Sequence, residues 1–232
     1  MSLAILRNKK DAGKRSRTLD SLLAATQKLL LTRTAASLTI ADVVAEARMV
    51  QGTFYNYFDG MDALLDEVGA VLLANIAQRL QAIATGSTTP AETFAAKTRQ
   101  ALQIFSRSPG VGRMLFDIGL PVDRFLRQLH QDIRADIANG VKSGDFKTGN
   151  ADLLVSLVCG GITGIALDLH RKRLPTSAID PATEELLRVL GVPQAKASRL
   201  SKAIVQFAAP VHLPLTWHAQ AISTNPPKGK RT

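Results

Sequence analysis

Four aromatic residues fall within five positions of a chain in which only 5% of the residues are aromatic. The stretch reads VQGTFYNYF, from Val50 to Phe58, and it contains both tyrosines of the protein. At 100° per residue of a helix, Phe54 and Phe58 share one edge, which predicts that they anchor this helix in a core. Tyr55 and Tyr57 lie on either side of that edge, so their rings can rest on the core while both hydroxyl groups reach outward.

The remaining face of this helix carries small, neutral, hydrogen-bonding groups. The amides of Gln51 and Asn56 suit bidentate contacts to adenine, with Thr53 between them. Gly52 permits a close approach of the backbone to a ligand, and the two tyrosine hydroxyls can donate to phosphate oxygens. The pattern predicts a helix that reads bases in the major groove. The alternative is an amphipathic helix whose outer face merely ends in two tyrosines.

A second helix and a short turn precede this stretch. Ile40, Val43, Val44 and Ala47 form an apolar stripe in IADVVAEA, and Thr39 offers an N-cap with Asp42 as a capping-box partner. About three residues, RMV, separate the two helices. These dimensions are typical of a helix-turn-helix, which favours the DNA-reading interpretation over the alternative.

The segment LTIADVVAEARMVQGTFYNYFDGMDALL, residues 38–65, resembles the DNA-binding signature of the TetR family of bacterial transcriptional regulators. The matching residues are Leu38, Thr39, Val44, Ala45, Ala47, Gly52, Thr53, Phe54, Tyr55, Tyr57, Phe58 and Leu64. By this resemblance Thr39 contacts a phosphate through its hydroxyl or its backbone N–H, and Tyr57 contacts another. Five residues would face the major groove: Gln51, Gly52, Thr53, Tyr55 and Asn56.

Three positions depart from the family pattern. Arg48 replaces the turn glycine, so a left-handed backbone there costs energy, although the side chain can reach a phosphate. Val50 replaces a capping serine and leaves a first-turn N–H without its acceptor. Met61 replaces a lysine that grips the DNA backbone. The loss of the lysine at position 61 removes one contact to the DNA backbone, for which basic residues of the N-terminal segment could compensate.

The charge distribution identifies where such residues lie. The 232-residue chain has a formal net charge of +10 and a pI near 10.1, which predicts a polyanionic partner, either nucleic acid or an acidic membrane surface. The first eighteen residues contain Asp11 alone against six basic residues: Arg7, Lys9, Lys10, Lys14, Arg15 and Arg17. We predict a flexible basic arm over residues 1–16 that lies along the minor groove.

Helical periodicity runs through the chain without convincing strand alternation, which predicts an all-α protein. We expect a helix-turn-helix domain over residues 17–60 and a larger helical domain for ligand binding and dimerisation over residues 61–208. An irregular, proline-rich, basic tail should follow over residues 209–232. The apolar run from Leu153 to Leu167 is too short for a membrane span and predicts a buried helix.

The larger domain offers candidates for a dimer interface and an effector site. Gly160 and Gly164 have G-x-x-x-G spacing beside Gly161, which suits close helix packing within a homodimer or, alternatively, within one chain. The family resemblance places the dimer's four-helix bundle in the last long helices. Apolar side chains of the middle helices can line a site for an apolar or weakly polar small molecule: Phe94, Phe105, Met114, Phe116, Phe125 and Leu129.

Other classes of protein find little support. The chain has no G-x-S-x-G elbow, P-loop or H-E-x-x-H, so we predict no enzyme. The four histidines lack metal-ligand spacing and Cys159 is a lone cysteine, so we predict neither metal nor cofactor nor disulfide. No signal peptide or membrane association is expected, and the location should be cytoplasmic. The prediction is a regulator of a double-stranded DNA operator; the alternative is a non-specific DNA-binding or interaction module without ligand control.

Overall fold

The computed structural model describes residues 3–120, 123–147 and 149–217, with side chains from residue 15 onward in the first range and from residue 126 in the second. Within these ranges the chain forms helices and no strand, which confirms the all-α prediction. The helices are α1 (Leu3–Leu30), α2 (Ile40–Glu46), α3 (Gln51–Tyr55), α4 (Met61–Ala84), α5 (Pro90–Arg107), α6 (Pro109–Gly112), α7 (Asp123–Lys142), α8 (Ala151–His170), α9 (Ile179–Val189) and α10 (Gln194–Ser201). A π-helical turn, Arg113–Asp117, follows α6 directly.

The helices form two compact units. The first contains the chain up to Asn75, Ile118–Leu120 and the segment that begins at His212, and the second contains Ile76–Asp117 and the later chain as far as Val211. The division falls inside α4, whereas the sequence places a boundary at residue 60. The apolar stripe of α4 continues through the division without a helix breaker, from Leu72 to Ile76.

The first unit is built on α1, α2, α3 and the first half of α4. Helix α1 already begins at Leu3, so residues 3–16, where the sequence predicts a flexible arm, are helical. This segment is rich in alanine, leucine, lysine and arginine, which favour helix, and Gly13 alone does not end it. Side chains from all four helices are fully or nearly fully buried: Leu22, Leu23, Leu30, Val43, Val44, Phe54, Phe58, Leu64 and Val68.

The described part of the C-terminal tail packs in this first unit by specific hydrogen bonds. The side-chain amide of Gln27 in α1 is 2% exposed; it donates to the Leu215 carbonyl at 2.7 Å and accepts from the Leu215 N–H at 2.8 Å. The Trp217 N–H donates to Asp20 in α1, and the Trp217 indole donates to Glu67 in α4 at 2.8 Å. The tail is irregular as predicted, but as far as Trp217 it is a fixed part of the unit.

The second unit packs α5, α7, α8, α9 and α10 around one core. Helix α5 starts with a complete capping box between Thr89 and Glu92 and has Pro90 in its first turn, so its start is well specified. Helix α8 is long and apolar enough to cross a membrane by length and composition. Here it contacts α5, α7 and α9, and one of its faces is buried in the core by Val155, Val158, Cys159, Ile162, Ala166 and Leu169.

Candidate nucleic-acid interface and ligand cavity

Helix α2 begins with a strong cap. The Thr39 side chain accepts from the Asp42 N–H, while Asp42 accepts from the Thr39 N–H at 2.9 Å and from its hydroxyl at 2.6 Å. Arg33 also binds this carboxylate at 3.1 Å. Hydrogen bonds from Arg33 and then Thr39 lower the pKa of Asp42 to about 2. Both Thr39 donors are therefore engaged within the protein, so a phosphate must displace Asp42 or bind the N–H groups farther into the first turn of α2.

The turn after α2 contains the first departure from the family pattern. Arg48 has a φ of +55°, so its backbone is in the left-handed region that a glycine would adopt at lower cost, on the order of 1 kcal/mol. The Met49 N–H donates to the Val44 carbonyl and closes the end of α2. The Arg48 side chain is exposed on the outside of this turn, where it can reach a phosphate.

Helix α3 starts without a side-chain cap. Val50 has the extended backbone of an N-cap, with φ −92° and ψ 153°, but its side chain accepts no hydrogen bond and is 73% exposed. The sequence-based expectation for Val50 agrees with this geometry. Stability of the short helix must therefore come from its buried side rather than from its first turn.

The buried and exposed sides of α3 are sharply divided. Phe54 is fully buried and Phe58 is 6% exposed, with ring centroids 5.7 Å apart. Tyr55 is 54% exposed and packs its ring edge-to-face on Phe54. Tyr57 is half-buried, and the guanidinium of Arg15 in α1 lies over its ring, 5.9 Å from the centroid. The two tyrosines thus flank the outer face of the helix as the helical wheel predicts.

We find no structural role for the outer face of α3 within the described residues. Gln51, Gly52 and Asn56 are exposed and Thr53 is half-buried. None of their side chains forms a hydrogen bond to another described residue. A Cβ added to Gly52 would meet no atom within 4 Å, so no internal packing requires a glycine there. The polar groups of this face are therefore free to contact a ligand outside the chain.

The second unit contains a cavity of about 520 Å³ between α4, α5, α7 and α8. Two of the predicted ligand residues, Phe94 and Leu129, line it, together with Ile133 and Ile162. Its polar lining includes Gln78, Gln81, Lys97, Thr98, Gln128, Asp132 and Asp136. Lys97, Asp132 and Asp136 were not among the predicted ligand residues, because the prediction considered only apolar side chains.

The other predicted ligand residues do not line this cavity. Phe105 and Phe116 pack on each other with centroids 5.4 Å apart, and Phe116 also packs on the His170 ring. Met114 is 1% exposed in the π-helical turn and belongs to the core. These residues are apolar because they fill the interior near α6, which periodicity alone cannot distinguish from a cavity wall. The side chain of Phe125 lies outside the described residues.

A second cavity of about 520 Å³ lies between α4, α5 and the chain around α10. Arg99, which lines it, already binds other groups of the protein, because it donates to Asp180 at 2.9 Å and to the Ala203 carbonyl and lies against the Phe207 ring. The cavity that contains Phe94 and Leu129 is the better candidate for an effector, since its hydrogen-bonding groups converge on an apolar floor.

The three glycines of α8 have different surroundings. A Cβ at Gly161 would lie 3.0 Å from Leu186, so Gly161 allows α9 to pack closely within the chain. A Cβ at Gly160 or Gly164 would meet nothing within 4 Å, and both residues are exposed. Together with Leu153, which is 57% exposed, and Leu157, which is 54% exposed, they form an apolar stripe along the outside of α8.

Histidine, cysteine and acidic residues could support chemistry other than DNA binding. In the described part of the chain no three such residues come together in a way that could hold a metal ion. Cys159 is buried, and burial raises the pKa of its thiol to about 11, so the thiolate that reacts or binds metal is disfavoured.

Comparison with known proteins agrees with this geometry. Residues 22–68 match the family model described as bacterial regulatory proteins, tetR family, and residues 89–203 match the model described as tetracyclin repressor-like, C-terminal domain. Together the two matches cover more than half of the chain. A search of curated proteins found no significant match.

Several solved structures share the fold. RolR in complex with resorcinol is 25% identical, with a TM-score of 0.64 over 84% of this chain and 98% of that one. A TetR-family transcriptional regulator from Pectobacterium atrosepticum is 24% identical, with a TM-score of 0.60 over 77% and 96%. A gamma-butyrolactone receptor is 14% identical, with a TM-score of 0.58 over 81% and 95%. The chain therefore belongs to the TetR family of bacterial regulatory proteins, which are DNA-binding transcriptional regulators and not enzymes.

Proposed function

We propose that the protein is a repressor that binds a palindromic DNA operator as a homodimer and leaves the DNA when a small molecule occupies its second unit. The observation that carries this proposal is the outer face of α3. Its exposed groups, Gln51, Gly52 and Asn56, have no role in folding among the described residues and match the groups that read base edges.

Contacts to phosphates would hold α3 in the major groove. Tyr55 and Tyr57 flank its outer face, and Arg15 adds a positive charge beside Tyr57. Arg48 in the turn and the first turn of α2 at Thr39 supply further groups for the DNA backbone. Because these contacts carry no base information, they would set the position and orientation of α3, while Gln51, Thr53 and Asn56 would set the sequence preference.

The stripe on α8 supports the homodimer. Gly160 and Gly164 allow a second helix to approach closely, and Leu153 and Leu157 supply apolar area that stays exposed in a single chain. Gly161 contributes within the chain instead, through α9. In a dimer the two α3 helices would address half-sites about 34 Å apart, one turn of DNA, which requires a palindromic operator.

The cavity with Phe94 and Leu129 supports control by a small molecule. RolR, 25% identical to this chain, has been solved with resorcinol, a small aromatic diol. A molecule of that kind fits a cavity of about 520 Å³ with an apolar floor and hydrogen-bonding walls. We place the protein in the bacterial cytoplasm, where its operator DNA lies.

Footprinting on the DNA that flanks the protein's own gene tests the proposal. We expect a protected palindrome, and Gln51→Ala should lose discrimination at one base pair in each half-site by about 1–3 kcal/mol. Salt-sensitive binding without a preferred sequence would instead support a non-specific DNA-binding module without ligand control. Absence of DNA binding at low salt would overturn the proposal.

The basic N-terminal segment should strengthen operator binding through phosphates. Deletion of residues 1–16 removes five basic residues, Arg15 among them, and leaves Arg17 in place. We expect weaker binding and a flatter dependence of log K on log salt, because fewer counterions are released. Gel shifts at several salt concentrations measure the slope, and an unchanged slope would exclude a role for this segment on DNA.

A further inference from the structure

The charged side chains that line the cavity between α4, α5, α7 and α8 restrict the charge of the ligand that it can bind. Three ionisable side chains line it: Lys97 of α5 and Asp132 and Asp136 of α7. Two carboxylates therefore face the cavity against one ammonium group. The remaining lining is apolar or carries neutral amides and a hydroxyl.

The single positive charge is already paired within the protein. The Lys97 ammonium lies 3.0 Å and 3.1 Å from the two oxygens of Asp136, so both oxygens of this carboxylate bind it. The two side chains are only 22% and 17% exposed, which weakens screening by water and strengthens the pair relative to a surface pair. An acidic ligand would have to displace Asp136 and leave that carboxylate half-buried without its partner.

The second carboxylate, that of Asp132, forms no salt bridge within the described chain. Asp132 accepts a hydrogen bond from the Gln128 amide at 3.0 Å, and no lysine, arginine or histidine of the described chain forms a salt bridge with it. It is exposed and lines the cavity, so it adds a negative charge to the wall that a ligand meets. Its repulsion of an anion is moderate because water screens it, and it adds to the cost of displacing Asp136.

The floor of the cavity favours an apolar body. Phe94 is 1% exposed and Ile133 and Ile162 are each 6% exposed, and these three buried side chains contribute to the apolar lining of the cavity. Thr98, 3% exposed, and the amides of Gln78 and Gln81 offer neutral hydrogen bonds to groups on such a body.

We propose that this cavity selects an apolar, ring-sized effector with a neutral hydroxyl or a cationic amine and rejects carboxylates, with Asp132 and Asp136 as the residues that determine this specificity. The inference rests on the proposed function in that the bound molecule is the effector. It adds the charge class of that molecule and the side chains that select it.

Three probes with the same bicyclic ring test the selection: naphthol, naphthoate and naphthylmethylamine, each substituted at the same ring position. Calorimetry on the full-length protein without DNA at neutral pH should show that naphthol and the amine bind and that naphthoate binds about tenfold more weakly or worse. Equal or tighter binding of naphthoate would overturn the proposal, and so would the absence of binding by all three probes.

A charge swap provides the second arm. In the double variant Asp132→Asn and Asp136→Asn, Lys97 becomes the only charge on the cavity wall, so naphthoate should gain about tenfold in affinity while the amine loses affinity. Asp132→Asn alone, at an exposed position that folding does not depend on, should give a smaller change of the same sign. Glu185→Gln on α9 removes a carboxylate outside the cavity and should change nothing. An unchanged order of affinities in the folded double variant would contradict the assignment.

Operator binding is measured separately by gel shift. A protein that binds its operator but shows no charge preference among the probes keeps the proposed function and refutes this inference. A protein that shows the charge preference but binds no DNA supports this inference and refutes the proposed function.

Discussion

The outer face of α3 and the cavity of the second unit are the two regions that we propose as binding sites, and they are built in opposite ways. The α3 face comes from four residues within the short stretch 51–56, and all of them except the half-buried Thr53 are exposed. The cavity is assembled from four helices spread over residues 77–162, and its floor is buried. One site is a surface that a single stretch of sequence specifies, whereas the other exists only after the whole unit has folded.

The difference explains how far each site tolerates change. Side chains on the α3 face contribute nothing to the fold among the described residues, so they are free to be selected for DNA alone. Phe94 and Ile162 must satisfy the core and the ligand together. We therefore expect variants of the α3 face to separate stability from function and variants of the cavity floor to change both.

Phe54→Ala should have the largest effect, because it should reduce stability and operator binding together. Phe54 is fully buried and supports both Tyr55 and Phe58, so its truncation should cost about 3–5 kcal/mol of the free energy of unfolding and abolish operator binding. Urea denaturation and a gel shift measure the two effects. Phe54→Leu, which keeps most of the volume, is the control and should retain DNA binding. A loss below about 1 kcal/mol for the alanine variant would mean that Phe54 is not the anchor of α3.

Gln27→Ala should show that the first unit also depends on a distant segment. The variant leaves the buried Leu215 N–H and carbonyl without their partner, which should cost about 1–3 kcal/mol for each group left unsatisfied. Truncation after Ala209 should destabilise the same unit, and the loss in the combined variant should be smaller than the sum of the two. Additive losses, measured by thermal unfolding, would argue against a shared role.

The two regions also differ in how much of their structure could be predicted from the sequence. The α2–α3 region, the roles of Phe54 and Phe58 and the missing cap at Val50 were predicted, because local periodicity and capping chemistry determine them. Phe105, Met114 and Phe116 were predicted for the effector site but do not line the cavity that contains Phe94 and Leu129. It also missed the Lys97–Asp136 pair and the Gln27–Leu215 contact, whose partners are 39 and 188 residues apart. Long-range pairing of this kind leaves no periodic signal.

Substitutions at the N-termini of α2 and α3 should have smaller effects on stability. Thr39→Ala should lose about 1 kcal/mol of stability because α2 loses its cap, while Val50→Ser should gain up to about 1 kcal/mol because α3 acquires one.

The Asp42 carboxylate, with its pKa lowered to about 2, stabilises the fold above its ordinary pKa of 3.8, and this contribution disappears as the pH falls through about 2. The stability difference between wild type and Asp42→Asn should therefore shrink over that interval, and a pH-independent difference would contradict the assignment.

Gly52→Ala tests the central claim, that the exposed face of α3 reads DNA, most directly. A methyl group at Gly52 meets no protein atom within 4 Å, so the variant should be as stable as wild type or about 0.5–1 kcal/mol more stable. The same group would stand between α3 and the base edges, so operator affinity should fall by about tenfold or more. Gly69→Ala in α4, equally open, is the matched control and should bind the operator normally. Undiminished operator affinity in a folded Gly52→Ala protein would contradict the account.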